Sequence, residues 1–189
     1  MIKSEIRKKY KALRNELSEI EVDDLSLQIA NSVLELPVWL YSYYHIFLTI
    51  EEKKEINTNY ILSILSGKDK NIVVSKSDFS TGLMTNFLLT DNTKLKKNTF
   101  DVPEPIDGIE INNQIIEVVF IPLLGFDKQG HRVGYGKGFY DRFLNSCKPE
   151  TIKIGLSFFE AEDTIDDVST QDEKLDYCIT PNKIYNFQL

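Results

Sequence analysis

The sequence predicts an α/β fold: a single-domain, Rossmann-like sandwich in which helices cover both faces of a mostly parallel sheet. Candidate strands alternate with candidate helices along the chain, and most of the strands are continuous apolar runs. Such runs are typical of parallel strands that are buried on both faces. With 189 residues the chain is long enough to bury a core, and we take residues 1–189 as one domain.

Two predicted helices open the chain. The first, a basic helix over 3–17, has apolar residues at helical spacing: Ile6, Tyr10, Leu13 and Leu17. Ser18 followed by Glu21 is a capping-box pattern, which predicts a second helix that begins there and ends before Pro37. Two further helices are predicted over 58–65 and 139–147.

Seven further segments are predicted to be extended. The segment IIEVVFIP at 115–122 is the clearest, because it is rich in β-branched residues and ends at Pro122. In FDVPEP each proline restricts the residue before it to extended backbone. The seven segments are 44–50, 71–74, 86–90, 100–105, 115–122, 151–158 and 175–180.

Charge is unevenly distributed along the chain. The net charge is −7, yet residues 1–14 carry six basic groups against one acid, and residues 125–142 carry four against two. The rest of the chain is strongly acidic, which disfavours a general nucleic-acid binder because phosphate contacts dominate such binding. Two local basic segments favour a small, highly charged anion instead.

The sequence also indicates where in the cell the protein is located. The N-terminal segment MIKSEIRKKY lacks the apolar core of a secretory signal, and the most apolar run is too short to cross a membrane. Cys147 and Cys178 lack the spacing of a zinc site or redox motif, and we expect both to be buried or partly buried thiols. We therefore expect a cytoplasmic protein, a monomer that binds neither membrane nor nucleic acid.

The segment GFDKQGHRVGYGKGFYDRF, residues 125–143, holds five of the nine glycines. It follows the clearest strand, and ligands of such sheets bind beyond the carboxyl ends of the strands. A glycine loop that leads into a helix binds anions through its backbone amides. Arg132 and Lys137 would add positive charge, and Asp141 in the first helical turn could hold Mg²⁺ against a phosphate. A solvated surface loop remains an alternative, since neither G-x-G-x-x-G nor the P-loop pattern matches.

Other candidate residues carry weaker signals. Lys3 and Arg7 are one helical turn apart and could clamp a phosphate, although a solvated basic face has the same pattern. Asp172 precedes the last predicted strand, where surface acids are also common. His45 lies in a predicted strand and is expected at the edge of the core. No Ser/His/Asp or Cys/His arrangement indicates a covalent nucleophile.

The ungapped segment FIPLLGFDKQGHRVGYGKGFYD resembles the hallmark of the 5-formyltetrahydrofolate cyclo-ligase family, which is a strand ending in Pro followed by G-F-D-x-x-G-x-R-[LV]-G-x-G-x-G-[YF]-Y-D. Fainter similarities are Lys3 and Arg7 in the first helix, EINT at 55–58 and FDVPEP at 100–105. The sequence departs from the family in two extra residues before Glu55, in Ser75 where a proline is usual, in Gln171 where His or Asn is common, and in Phe100 where tryptophan is frequent.

The resemblance implies an ATP- and Mg²⁺-dependent enzyme that closes 5-formyltetrahydrofolate to 5,10-methenyltetrahydrofolate and releases ADP and phosphate. Lys137 and Arg132 would be catalytic, and Asp141 and Asp172 would bind Mg²⁺. The residues implied to bind ATP are Lys3, Arg7, Arg132, Val133, Gly134, Tyr135, Gly136, Lys137, Gly138, Phe139 and Tyr140. The residues implied to bind the folate are Ile50, Glu55, Met84, Phe100, Tyr135, Phe139 and Tyr140.

Two other functions remain possible on the same scaffold. A sugar-phosphate isomerase or CoA transferase would need an acid/base carboxylate in the glycine segment, and would leave the basic first helix unexplained. A nucleotide- or RNA-binding module could stack bases on the aromatic residues of the glycine segment. The acidic balance of the remaining chain disfavours that module.

Overall fold

A central sheet of seven strands organises the molecule, in a computed structural model that describes residues 1–188. The helices are α1 (Lys3–Glu16), α2 (Glu19–Val33), α3 (Asn59–Gly67) and α4 (Phe139–Ser146). The strands are β1 (Tyr43–His45), β2 (Asn71–Asp78), β3 (Leu83–Leu88), β4 (Leu95–Lys97), β5 (Pro103–Pro105), β6 (Val118–Pro122), β7 (Gly125–Phe126), β8 (Arg132–Val133), β9 (Ile152–Leu156), β10 (Tyr177–Ile179) and β11 (Ile184–Asn186). No helix in the described part of the chain is both long and apolar enough to span a membrane.

The strand order is β11-β10-β9-β6-β1-β2-β3. The five inner strands are parallel, and β3 and β11 are antiparallel edges. From the central β1 the chain runs outward through β2 and β3, then returns to the other side of β1 and runs outward through β6, β9 and β10. The order therefore reverses between β1 and β6, which is the point where open α/β sheets bind ligands.

Alternating residues of the central strands face opposite layers of helix. Tyr44 of β1 and Phe120 of β6 pack with α2 and α3 in one core cluster. Val119 and Ile121 of β6 pack with Phe143 of α4 on the other face. The predicted mostly parallel sheet with helices on both faces is confirmed.

The basic helix α1 packs on the β7–β8 hairpin, which belongs to the glycine segment. Ile6 and Tyr10 of α1 form a small core cluster with Leu124 and Val133. The contact is close, since a Cβ added to Gly125 would lie 2.9 Å from both Ile6 Cγ2 and the Tyr10 ring. The packing joins the two basic segments of the sequence at one place.

Several predicted elements have different bounds. The strand predicted over 44–50 ends at His45, because the following segment bonds to its own loop: the Thr49 hydroxyl donates to the Ile56 carbonyl, and the Ile50 amide donates to the Glu55 carboxylate. Such local side-chain bonds compete with a strand ladder. The strand predicted over 115–122 begins only at Val118.

Other sequence predictions are confirmed. The Ser18 hydroxyl accepts from the Glu21 amide at 3.2 Å, and the Glu21 carboxylate accepts from the Ser18 amide at 2.8 Å, so the capping box starts α2. Both Cys147 and Cys178 are buried thiols. The short strands β4, β7, β8 and β11 were not predicted from the sequence.

Candidate active site

A pocket of about 280 Å³ opens beside the carboxyl ends of β1 and β6, at the reversal of the strand order. Phe47, just after β1, and Pro122, which ends β6, both line it. The pocket brings together all of the site residues predicted from the sequence, whose individual roles stay predictions. These residues are Lys3, Arg7, Ile50, Glu55, Met84, Phe100, the run 132–141 and Asp172.

Positive side chains reach the pocket from α1 and from the glycine segment. The Arg7 Nε atom donates to the Gly134 carbonyl at 2.9 Å, which joins α1 to the glycine loop. The Lys3 ammonium forms an ion pair with Asp172. Arg132, which is only 9% exposed, forms an ion pair with Asp141 at 2.7 Å and also donates to the Glu173 carbonyl.

The glycine loop turns sharply around Lys137. Gly136 has φ +92° and Gly138 has φ +69°, a left-handed region in which glycine is favoured. Gly138 is also the N-terminal cap of α4, so the positive end of that helix points toward this loop. The Lys137 side chain is exposed and forms no ion pair with any part of the chain from 1 to 188.

Asp141 and Asp172 each use one carboxylate oxygen within the protein. The Oδ1 atom of Asp141 accepts from Arg132 and from the Glu173 amide, and the Oδ2 atom of Asp172 accepts from Lys3 and from the Ser169 amide. Burial raises the pKa of Asp172, but the hydrogen bonds from Lys3 and Ser169 outweigh burial, so this pKa is lowered. The second oxygen of each carboxylate has no hydrogen bond within residues 1–188. These two oxygens suit Mg²⁺, which takes one or two carboxylates together with substrate phosphates.

Glu55 is a buried carboxylate in the pocket wall, 4% exposed. Its Oε1 atom accepts from the Tyr135 hydroxyl at 2.8 Å, and its Oε2 atom accepts from the Ile50 amide at 2.9 Å. Burial raises the pKa of Glu55, and the two hydrogen bonds oppose that rise. Since a carboxylate oxygen has two lone pairs, each oxygen keeps one acceptor position for a ligand.

Aromatic rings form another part of the wall. The Phe79 ring stacks on Phe100 with centroids 4.2 Å apart and meets Phe139 edge-on at 5.1 Å. Phe79 was missed by the sequence analysis, because a single aromatic next to a turn looks like any other surface residue. A flat, apolar ligand would pack on this cluster.

Arg142 links two walls of the pocket from outside. Its Nε atom donates to the carbonyl of Gly82, in the β2–β3 turn, at 2.8 Å. Its Nη2 atom donates to the Lys137 carbonyl at 2.6 Å. A Cβ on Gly82 would overlap Nη2, so the guanidinium fits closely beside the turn.

His45 also lines the pocket and was expected only at the edge of the core. Its ring is fully buried, and its Nε2 atom lies 2.6 Å from the Ser75 Oγ atom. The Ser75 hydroxyl in turn donates to Asn86 Oδ1 at 2.5 Å. Because the single Ser75 proton is used there, His45 donates through Nε2, and its Nδ1 atom is an acceptor without a donor among residues 1–188. Burial lowers the pKa of His45 to about 3.

Comparisons with known proteins agree on one family. The model of the 5-formyltetrahydrofolate cyclo-ligase family matches residues 1–181. A probable 5-formyltetrahydrofolate cyclo-ligase of Schizosaccharomyces pombe is 24% identical, over 96% of either chain. The NMR structure of Aquifex aeolicus 5,10-methenyltetrahydrofolate synthetase is similar with a TM-score of 0.85 and 25% identity, covering 100% of this chain and 94% of that one. A 5,10-methenyltetrahydrofolate synthetase of Mycoplasma pneumoniae has the same fold, with a TM-score of 0.75, 23% identity and full coverage of both chains.

Proposed function

The chain belongs to the 5-formyltetrahydrofolate cyclo-ligase family, and on that premise we propose that it uses ATP and Mg²⁺ to convert 5-formyltetrahydrofolate into 5,10-methenyltetrahydrofolate, ADP and phosphate. We also keep the expectation of a cytoplasmic monomer that takes only small-molecule substrates. The support is that one pocket at the strand reversal combines a basic glycine loop with a buried carboxylate and an aromatic wall.

The chemistry explains why these groups belong together. The formyl oxygen is a poor leaving group, so ring closure needs that oxygen activated. In the proposed reaction the formyl oxygen attacks the γ-phosphorus of ATP, and the bond to ADP breaks. The anilino nitrogen of the folate then attacks the formyl carbon and loses its proton, the bond from that carbon to the phosphorylated oxygen breaks, and the oxygen leaves as phosphate, which takes up the proton. Such phosphoryl transfer depends on positioning and charge neutralisation, so the protein needs no nucleophile.

We assign the triphosphate to the basic side of the pocket. The amides of residues 134–138 would bind phosphate oxygens, because positive φ angles at Gly136 and Gly138 let the backbone turn around an anion. Lys3, Arg7 and Arg132 would neutralise the bound nucleotide. Lys137 is the best candidate to stabilise the transferring phosphoryl group, since its exposed ammonium has no ion-pair partner within residues 1–188.

We assign Mg²⁺ to Asp141 and Asp172, whose unengaged oxygens suit a cation that is also held by phosphate. When bound there, the ion would neutralise part of the negative charge of the triphosphate. Arg132 and Lys3 keep these two carboxylates in place through their ion pairs.

We assign the folate to the remaining walls. Glu55 would accept hydrogen bonds from the amide edge of the pterin, with one free lone pair on each oxygen. Ile50 lies beside it, because its amide donates to Glu55. Met84 and the rings of Phe100, Phe139 and Tyr140 would pack on the pterin and benzoyl groups.

The test is the near-UV absorbance of 5-formyltetrahydrofolate incubated with the protein. We expect a rise from the methenyl product that requires both ATP and Mg²⁺. Lys137→Ala should lower kcat by about 10²- to 10³-fold, the usual loss when one preorganised charge or donor at a transition state is removed. Asp141→Asn should raise the Mg²⁺ requirement.

Lys148→Ala is the matched control, because this exposed lysine follows α4 and lies outside the pocket. We expect it to retain full activity. Folded wild-type protein that binds Mg-ATP but yields no methenyl product would exclude the proposed reaction.

A further inference from the structure

Arg14 is a buried cation that the sequence analysis did not select. It lies on the buried face of α1 with Ile6 and Tyr10, at successive spacings of four residues, and it is only 5% exposed. A buried guanidinium is costly unless its N–H groups are hydrogen-bonded. Its Nη2 atom donates to the Leu123 carbonyl at 2.8 Å and its Nη1 atom donates to the Tyr135 hydroxyl at 3.0 Å, whereas its buried Nε atom has no acceptor within residues 1–188. Arg14 is absent from the lining of the main pocket.

The contact with Arg14 fixes the direction of a hydrogen-bond chain. Arginine has no acceptor atom, so the Tyr135 oxygen must accept from Arg14. The single hydroxyl proton of Tyr135 is then donated to Glu55 Oε1, 2.8 Å away. The chain thus runs from α1 through the glycine loop to the buried carboxylate in the pocket wall.

The hydrogen bonds and positive charges around Glu55 favour its ionised form, against the effect of burial. Burial raises the pKa of Glu55, while the hydrogen bonds from the Ile50 amide and Tyr135, and then the charges of Arg14 and Lys53, lower it. Burial raises the pKa of Tyr140 of α4, and the negative charge of Glu55 raises it further. Of the two cations, Arg14 has the larger influence and is bonded into the chain.

We propose that Arg14 is a positioning residue for the folate: through Tyr135 it holds the Glu55 carboxylate as the hydrogen-bond acceptor for the pterin, without touching the substrate. The inference rests on the proposed function. It adds a residue of α1 to folate recognition, whereas Lys3 and Arg7 on the same helix are assigned to the nucleotide.

The test compares Arg14→Met and Arg14→Lys with the wild type and with Lys8→Met. Lys8 is an exposed cation of α1 outside the pocket, so its variant removes the same charge from the same helix. Steady-state kinetics are measured for each substrate from pH 5.5 to 8.5, and 5-formyltetrahydrofolate binding is measured separately by calorimetry.

In Arg14→Met we expect the KM for 5-formyltetrahydrofolate to rise about tenfold at pH 7, as for a lost hydrogen bond to a charged group. The KM for ATP should change less than about twofold. The acid limb of kcat/KM for the folate should move to higher pH, by roughly one pH unit, because Glu55 takes up a proton more readily without the cation. Arg14→Lys keeps the charge and should shift the limb less, and Lys8→Met should match the wild type.

The outcomes separate the two proposals. A wild-type protein that neither binds nor converts 5-formyltetrahydrofolate refutes the proposed function. A wild type that does both, beside a folded Arg14→Met with the same KM and pH profile, refutes the role of Arg14. If Arg14→Met does not fold, Tyr135→Phe breaks the same chain, and an unchanged folate KM and pH profile in that variant refutes the role equally.

Discussion

The buried His45 makes the stability of this protein depend on pH in a specific way. The ring is fully buried, and it packs against Phe143 with centroids 4.8 Å apart. Burial lowers its pKa from 6.5 to about 3. Below pH 6.5 the unfolded chain therefore binds a proton at His45 that the native protein does not bind, so stability is lost as pH falls from 6.5 toward 3.

The size of this effect follows from the two pKa values. A proton bound only by the unfolded state lowers the free energy of unfolding by about 1.4 kcal/mol per pH unit. Because the effect develops gradually near pH 6.5, the loss attributable to His45 is about 2 kcal/mol between pH 7 and pH 5. This is a substantial part of the roughly 5–15 kcal/mol that stabilises a typical domain.

Urea unfolding at pH 7, 6 and 5 measures the effect when the wild type is compared with His45→Gln. The glutamine amide can still donate to Ser75, but it does not titrate. Every other titrating group is shared by the two proteins, so its contribution cancels in the difference. We expect the wild type to lose about 2 kcal/mol more than the variant between pH 7 and pH 5. Parallel losses would show that His45 titrates normally in the folded protein, and the reasoning from burial would be wrong.

Substitutions at three positions test the site and its support. Glu55→Gln should raise the KM for 5-formyltetrahydrofolate at least tenfold and leave the KM for ATP unchanged, because it replaces one acceptor oxygen by a donor; equal effects on both substrates would contradict the assignment. Arg142→Ala should raise the KM values for ATP and for 5-formyltetrahydrofolate a few-fold, since it releases the β2–β3 turn from the glycine loop. Arg142→Lys should not return these KM values to those of the wild type, because lysine does not reproduce the two-acceptor contact of the guanidinium. Gly125→Ala should destabilise the protein by about 1–3 kcal/mol in urea unfolding, because the new methyl group would overlap Tyr10 of α1; wild-type stability would show that α1 can shift.

The central strands illustrate what the sequence could predict. The apolar run that forms β6 is buried from Val118 to Ile121, and its β-branched residues and terminal Pro122 identified it from the sequence. An apolar run also overextended β1, because residues 46–50 are equally apolar but bond to local side chains: the Thr58 hydroxyl donates to the Phe47 carbonyl, and the Ile50 amide donates to Glu55. The short strand β4 reads LKK, and all three residues are exposed. It forms only by pairing with β5, which no local pattern can predict.

The residues of the candidate active site also divide into those that the sequence predicts and those that only the fold reveals. Residues 132–141 are contiguous, so their motif could be recognised without knowing the fold. Phe79 reaches the pocket only because the β2–β3 hairpin folds beside α4, and that proximity has no signature in the sequence. His45 was assigned to the edge of the core, a position from which its contact with the pocket could not be inferred.

Arg14 differs from these, because its place on the buried face of α1 has a sequence signal, its spacing of four residues from Tyr10. The predicted buried face of α1 was read from Ile6, Tyr10, Leu13 and Leu17, whereas the residues that the fold buries are Ile6, Tyr10 and Arg14. An arginine four residues after a buried tyrosine, on the same helix face, must find acceptors inside the protein. Here one acceptor is a carbonyl and the other is the tyrosine bonded to the buried carboxylate of the pocket. A charged residue within an apolar helical stripe is therefore a reason to look for a buried polar partner, and in this chain that partner leads directly to the candidate active site.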